Sequence, residues 1–339
     1  MPVSVAAGLI FVSAYAPMAR RIVLDTDMGT DVDDALCLGL ALAAPELELV
    51  AVTHVSRDTR LRARISKKLL RLAGRENVPV YAGCEKPRSG RDTFAWFGHE
   101  GEGILDAGED LEIEAEPAVA ALSRLFRSAS DLELVAIGPL TNVAAALDAD
   151  PDLARRIARL TVMGGHIRRV AYGGCDLPRH VDYNLCSDPD ASLRVLSAGI
   201  PTRLVTADVT LQVWIGEGDL RGIESVGSPL HRALARAVRR WTPIMNRIFT
   251  GLGARMDADN VAFLHDPLAL ACVYDESFCT FEDLAVEPMI RDGVFRTIER
   301  SANGEAGRDG HFPRLRCATA VDAGRFRSHF TERLKSLGQ

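Results

Sequence analysis

The sequence predicts an α/β fold: one domain built on a mostly parallel central sheet with helices on both faces. Three observations carry this. Short apolar runs alternate with amphipathic segments along the chain, the pattern of strands joined by crossover helices. No low-complexity linker, long charge run or internal repeat divides the 339 residues. The composition, 47% hydrophobic and 25% charged, is that of an ordinary globular protein, which excludes disordered, collagen-like and coiled-coil chains.

The elements follow in order. Arg21–Asp25 is a short apolar run ending in an acid and reads as a buried strand. Asp33–Ala44 has an acidic start and an apolar body, the signature of a helix stopped near Pro45. Leu47–Val55 reads as the next strand, Leu61–Ala73 as an amphipathic helix ending at Gly74, and Val78–Tyr81 as a third strand. Helices are expected over Ala118–Ser128, from Asn142 to Leu147, and over Pro189–Ser197, His231–Phe249 and Pro267–Val273. Strands are expected at Leu132–Ile137, Leu160–Met163 and Thr202–Val205. Pro87–Gly108 and Arg168–Arg179 lack periodicity, and loops after strands are where such folds carry their chemistry.

Composition removes several classes of function. Forty Lys and Arg against 46 Asp and Glu leave a formal charge of −6, so a basic nucleic-acid footprint is not expected. No apolar run reaches the ~18–20 residues of a membrane span. The seven cysteines are odd in number and no pair has C-x-x-C spacing, which reads as reduced thiols in a cytoplasmic protein. Residues 1–19 read as an extension to a domain spanning 20–339. Met1 to Pro17 are small and apolar with no Lys or Arg before Arg20, so the positive start of a secretory signal is lacking. Translation from Met18 is the preferred reading; a weak signal peptide, with Ala14-Tyr15-Ala16 at its cleavage site, is the second.

The most informative segment runs from Asp25 to Asp34, D-T-D-M-G-T-D-V-D-D, where five carboxylates fall within ten residues at the end of a buried strand. Helix capping accounts for Asp33 and Asp34, since Asp favours a first helical turn. It does not account for Asp25 and Asp27. Carboxylates at this density repel one another unless a cation compensates. Oxygen ligands without a His/Cys cluster point to a hard cation, Ca²⁺ or Mg²⁺.

These residues resemble the opening D-x-D-x-G-x-D-D of the nucleoside hydrolase family, the inosine/uridine-preferring N-ribohydrolases, with two residues inserted before the final pair. Gly138-Pro139-Leu140-Thr141-Asn142, Met163-Gly164-Gly165, Asp182-Tyr183-Asn184, Asp188-Pro189-Asp190 and His265-Asp266-Pro267 are similar to later family blocks, in the family's order. The resemblance runs from about Arg20 to the C-terminus. It implies a Rossmann-like open sheet, a Ca²⁺ cofactor, a nucleoside substrate, and a dimer or tetramer. Asp27 would contact the ion and take a proton from the attacking water. Asp34, the Thr141 carbonyl and Asp266 would complete the metal ligands. Asp33 and Asn184 would bind ribose hydroxyls, and His265 would protonate the departing base. His99, in Gly98-His99-Glu100-Gly101, would lie near the nucleobase.

Three departures touch the sugar and base. Asp182 stands where the family often has Glu, Asp176 where it often has Asn, and Arg57-Asp58 where it commonly has Gly-Asn. Ionised Asp only accepts hydrogen bonds, whereas Asn also donates. The expected reaction is Ca²⁺-dependent hydrolysis of a ribonucleoside to ribose and free base. The alternative is a non-catalytic nucleoside- or ribose-binding relative. A phosphatase of the haloacid-dehalogenase type fits less well, because Gly29 occupies the position where that motif has Thr or Val. His54, His166 and His180 read as structural groups, and Trp214 and Trp241 as packing residues, with a place lining the base pocket as the alternative for Trp241 on its long helix.

Overall fold

In the computed structural model, residues 19–90, 98–109, 111–177, 180–300 and 312–338 are described. Residues 1–18 of the expected 1–19 extension lie outside them. β1 (Arg20–Thr26) is buried from Ile22 onward, with the pattern of a strand covered on both sides. Ile22 and Leu24 enter one hydrophobic core and Val23 enters the other, as side-chain alternation requires.

The remaining sheet strands are β2 (Leu47–His54), β3 (Val80–Ala82), β4 (Glu133–Ala136), β5 (Arg159–Met163), β6 (Thr202–Val205), β7 (Cys279–Arg291), β8 (Val294–Arg300) and β9 (Arg314–Val321). They form a nine-stranded sheet in the order β8-β7-β9-β6-β5-β4-β1-β2-β3. Neighbours from β3 across to β9 pair in parallel, while β7 is antiparallel to both β9 and β8. The chain leaves β1 toward β2 and β3, then returns to lay β4 on β1's other side. The sheet order therefore reverses at β1 and β4, and in open α/β sheets ligands bind outside the carboxyl ends of the strands at such a point.

Helices cover both faces. α1 (Asp33–Ala43), α2 (Thr59–Leu72), α7 (Pro229–Gly251), α8 (His265–Tyr274) and α9 (Ala323–Ser336) pack into one core. α3 (Ala118–Ser128), α4 (Thr141–Ala149), α5 (Tyr183–Ser187) and α6 (Pro189–Leu196) pack into the other. The mostly parallel sheet expected from the sequence is present, and the helical and strand segments named above fall where they were expected to within a few residues. What the sequence reading did not assign is the antiparallel ribbon β7–β8–β9. Its strands alternate rather than run apolar: in β8, Phe295 and Thr297 are fully buried between partly exposed neighbours.

No helix among the described residues is long and apolar enough to cross a membrane. The seven cysteines are free thiols.

Candidate active site

β1 ends on a series of carboxylates that the fold holds inside the protein. Asp25, Asp27, Asp33, Asp34 and Asp266 are each at most 3% exposed. Asp25 is tied down from below: its Oδ1 accepts from Thr53 Oγ1 (2.6 Å) and from Asn142 Nδ2 (2.8 Å). Asn142 also donates to the His54 carbonyl, so one amide joins the ends of β1 and β2 to the start of α4. Asp33 and Asp34 begin α1, which has no side-chain cap. Asp34 accepts from Thr26 Oγ1, and Asp33 Oδ2 accepts from the Asp266 main-chain N–H at 3.2 Å. The first turns of α1 and α8 thus meet, and both helix dipoles present their positive ends to these carboxylates.

One ligand oxygen each from Asp33, Asp34 and Asp266 lie within 4.8 Å of one another. Burial, and then repulsion from neighbouring carboxylates, pushes all three well above the ordinary carboxylate range. Burial also raises Asp27, against the opposing pull of Arg62, and lifts Asp25 to about 7. Asp27 Oδ2 and Asp25 Oδ2 are buried without a hydrogen-bond partner. An all-oxygen set of buried carboxylates, with unsatisfied oxygens among them, fits a hard divalent cation, whose charge would reverse these shifts.

Arg62 holds the loop that carries the cluster. It lies on α2, is 1% exposed, and donates to the carbonyls of Ser56 (2.8 Å), Met28 (2.8 Å) and Asp27. Gly138 closes the opposite side. A Cβ there would stand 2.7 Å from Asp27 Oδ1 and 2.8 Å from its main-chain nitrogen, so only glycine lets β4 approach so closely.

The cluster forms one end of a pocket of about 230 Å³. Asp27, Asp33, Asp34, Asp182, Asn184, His265 and Asp266 line it, and Leu177, Leu211, Trp241, Ile248 and Phe249 contribute an apolar wall. Both amide hydrogens of Asn184 are committed, to the Ile137 carbonyl (2.9 Å) and the Met163 carbonyl (3.1 Å), which leaves its oxygen for a ligand. Asp182 caps α5 through Oδ1, accepting from Leu185 N–H at 3.0 Å, and burial lifts its carboxyl to about 6. His265 Nδ1 shares a 2.7 Å hydrogen bond with Thr210 Oγ1, and burial pushes the ring down to about 4.

Other expected residues stand elsewhere. Thr141 does not line the pocket. It begins α4 and its hydroxyl donates to Asp188 Oδ2 at 2.7 Å. Gly138-Pro139-Leu140 already carries the chain from strand end into helix, so the residue of this segment on the pocket wall is Ile137. Asp58 is exposed and caps α2, accepting from Leu61 N–H at 2.9 Å. Asp176 is exposed and pairs with Arg169 at 2.8 Å. Neither is on the pocket lining. His99 sits beside it: Nε2 meets the Thr30 carbonyl at 3.1 Å, and the ring stacks on Trp241 at 5.5 Å.

His54 is structural as expected, bonded through both ring nitrogens to Tyr81 O and Ser66 Oγ. His180 is held by Thr297 O at 2.7 Å. Sequence reasoning missed Arg62, one of several basic residues on α2, and read His166 as structural although it lines the pocket; Trp241 lines it too, which was the alternative to its packing role.

Residues 22–328 match the family model described as inosine-uridine preferring nucleoside hydrolase. The chain is 32% identical over 284 residues to the pyrimidine-specific ribonucleoside hydrolase RihA of Salmonella arizonae, covering 78% of this chain and 83% of the relative. A plant nucleoside hydrolase superposes with a TM-score of 0.79 at 26% identity, covering 94% of this chain and 99% of the other. A purine-preferring ribonucleoside hydrolase from Gardnerella vaginalis gives 0.78 at 26% identity, covering 94% and 98%. With the family model spanning nearly the whole chain and the carboxylate cluster lying inside the matched region, this protein belongs to the inosine-uridine preferring nucleoside hydrolase family.

Proposed function

We propose that the protein hydrolyses the N-glycosidic bond of ribonucleosides, releasing ribose and the free base, with Ca²⁺ held by Asp27, Asp34 and Asp266. The observation that carries this is the buried carboxylate cluster at one end of a pocket that also has an apolar wall. Ile137, whose carbonyl already accepts from Asn184, is the main-chain candidate in place of Thr141. The free thiols support a reducing compartment, the cytoplasm.

When bound, the cation supplies positive charge that gathers the sugar diol and acidifies a water. The chain's own residues do the rest. Asp27 Oδ2, buried without a partner, accepts the proton of the attacking water. Asp33 accepts from a sugar hydroxyl, and the Asn184 oxygen offers a second acceptor. As the glycosidic bond breaks, positive charge builds on the sugar, and the buried carboxylates stabilise it. His265 is neutral at pH 7, so it meets the departing base as a hydrogen-bond donor rather than as a preformed imidazolium. In the tautomer in which Thr210 donates to Nδ1, the ring hydrogen sits on Nε2. The apolar wall excludes water from the base, and Trp241 contributes its face to that wall.

One relative is named pyrimidine-specific and another purine-preferring. An apolar wall admits either ring, so the base is decided by assay. The test is ribose release from uridine, cytidine, inosine and adenosine, with Ca²⁺ and with chelator, each beside its 2′-deoxy partner. Expected are release only with the ion, and at least about a hundredfold lower kcat/KM for the 2′-deoxy compounds. Binding without ribose release would favour the non-catalytic alternative.

A further inference from the structure

Cys272 and Cys279 bring their sulfurs to 3.8 Å from one another, with the Cys272 S–H donating to the Cys279 sulfur. Cys272 is fully buried in the last turn of α8, and Cys279 opens β7 and is partly exposed. Neither thiol lines the pocket, so the chemistry above leaves both without a task. The chain between them is tightly ordered. The Asp275 N–H reaches the Ala271 carbonyl at 2.9 Å, and Asp275 Oδ1 accepts from the Ser277 N–H at 2.9 Å. The Cys279 N–H closes the 3₁₀ turn Glu276–Phe278 on the Glu276 carbonyl. Phe278 is 2% exposed and meets Phe326 edge-on at 5.3 Å, and Cys279 pairs with Val321 of β9. The fold therefore holds both sulfurs in place, and their approach needs no search through open conformations.

The two thiols are not equivalent. Donation to Cys279, and then burial, hold the Cys272 thiol well above its usual range, so Cys272 stays protonated. Cys279 receives the hydrogen bond and is the sulfur within reach of solvent. Oxidants select cysteines by access as well as by thiolate character, so a peroxide reaches Cys279 first and finds Cys272 already behind it. A disulfide needs its sulfurs about 2 Å apart, so roughly 1.8 Å of closure is required. α8 is buried at every position from Asp266 to Val273 and has little room to move. Cys279 and Thr280 are partly or fully exposed, beside an irregularity in the β7–β9 pairing between Thr280 and Phe281. The closure thus falls on the β7 side, away from the carboxylates at the other end of α8.

We propose that Cys272 and Cys279 form a peroxide-responsive disulfide, a modification site that fastens the turn joining α8 to β7. It does not depend on the hydrolytic reading. In the first step the Cys279 sulfur takes an oxygen from hydrogen peroxide: an S–O bond forms, the O–O bond breaks, and the thiol proton leaves with the other oxygen as water. In the second step the Cys272 sulfur forms the S–S bond as the S–O bond breaks, and its proton leaves with the hydroxyl as a second water. Together the sulfurs give up two electrons, which the peroxide takes. A small dithiol reverses the bond by exchange. A transient disulfide of this kind is compatible with a reducing compartment, and it stops the oxidation of Cys279 short of the irreversible sulfinic acid.

The test treats wild type, Cys272→Ser and Cys279→Ser with a small excess of hydrogen peroxide under native conditions. Free thiols are then alkylated, sulfenic acid is trapped with dimedone, and peptides are mapped by mass spectrometry without reduction; circular dichroism checks folding. Wild type should yield a cross-linked species joining the two cysteines, which dithiothreitol reverses, and its melting point should rise by about 2 °C or more on oxidation. Cys272→Ser should accumulate a dimedone adduct on Cys279 that wild type does not keep, and Cys279→Ser should lose the oxidation of Cys272. Wild type in which Cys272 and Cys279 both remain fully alkylated overturns the proposal, as does a Cys279→Ser variant that oxidises at Cys272 as fast as wild type. Oxidised wild type that melts no higher than the reduced protein overturns the fastening. Should a serine variant fail to fold, the wild-type map decides: the cross-link supports the proposal, and its absence overturns it.

Discussion

Replacing Arg62 with methionine should destabilise the protein by about 3–5 kcal/mol, the range for removing one partner from a buried charged arrangement. The guanidinium is 1% exposed and is the donor for three carbonyls, those of Ser56, Asp27 and Met28, with Glu100 at 4.0 Å as its nearest counter-charge. A hydrogen bond from a charged donor is worth about 1.5–3 kcal/mol net, so three lost together exceed the expected figure. Two effects bring it down: the main chain relaxes toward water, and methionine refills the channel with an apolar chain of similar length. The loss also removes a cation whose charge acts on both Asp27 and Asp34, so the apo cluster repels itself more strongly. Urea unfolding in chelator, followed by tryptophan fluorescence, reads the change. Arg62→Lys keeps the charge but not the planar fork, and should fall between wild type and methionine. A methionine variant within 1 kcal/mol of wild type would refute the idea that this side chain holds the acidic loop.

Asp27→Asn should still bind nucleoside and turn over far more slowly, because an amide cannot take the water's proton; a rate within about tenfold of wild type, ~1.4 kcal/mol of barrier, contradicts the general-base role. Gly138→Ala should lower kcat/KM by at least about tenfold, because the new methyl group meets Asp27 Oδ1 and its main-chain nitrogen at under 3.0 Å and one of them must shift; unchanged kinetics would show that β4 yields instead. Glu276 tests the sheet's other end. Burial alone would raise its carboxyl, but hydrogen bonds from Arg316 and Arg203 outweigh that and hold it at about 2, below its ordinary value near 4.5. The stabilisation is therefore complete above about 4.5 and is lost as pH falls toward 2. Glu276→Gln should destabilise the protein at neutral pH, leaving buried Arg203 without its counter-charge, and flatten the stability curve across that acid window. A variant with the wild-type acid slope would show that other groups supply it.

The parallel half of the fold was legible because strands covered on both sides must be continuous apolar runs. Ile22-Val23-Leu24 and Leu204-Val205 announce themselves without any partner in view. β7 to β9 were not, since their buried positions alternate with Arg, Glu and Thr, and a search for apolar runs passes over them. The carboxylates between Asp25 and Asp34 were legible by density, because no solvated turn needs Asp25 and Asp27 at a strand end, whereas Asp182 and Asp266 entered only through the family resemblance. Thr141 was misplaced for a different reason: a motif shows which segment approaches a site, but the register between strand end and helix start decides which residue arrives. Asp58 and Asp176 show the limit of reading by charge. An aspartate that caps a helix and one that pairs with Arg169 on the surface look no different in sequence from one that binds a sugar. Arg62 and His166 were hidden because burial, not residue type, gives them meaning.

The β7–β8 ribbon has a consequence for how this enzyme could change. The carboxylates hang from the parallel strands, and disturbing them threatens the reaction itself. The loop carrying His166 is pinned instead by Thr297 on the sheet's outermost strand, and by Asp208, whose carboxylate accepts from the Ile167 and Arg168 N–H groups. The carboxylate cluster and the His166 stretch of the pocket wall thus depend on separate parts of the sheet. Random variation confined to β8 becomes a practical way to reshape that stretch of the wall while leaving the carboxylate cluster as it was inherited.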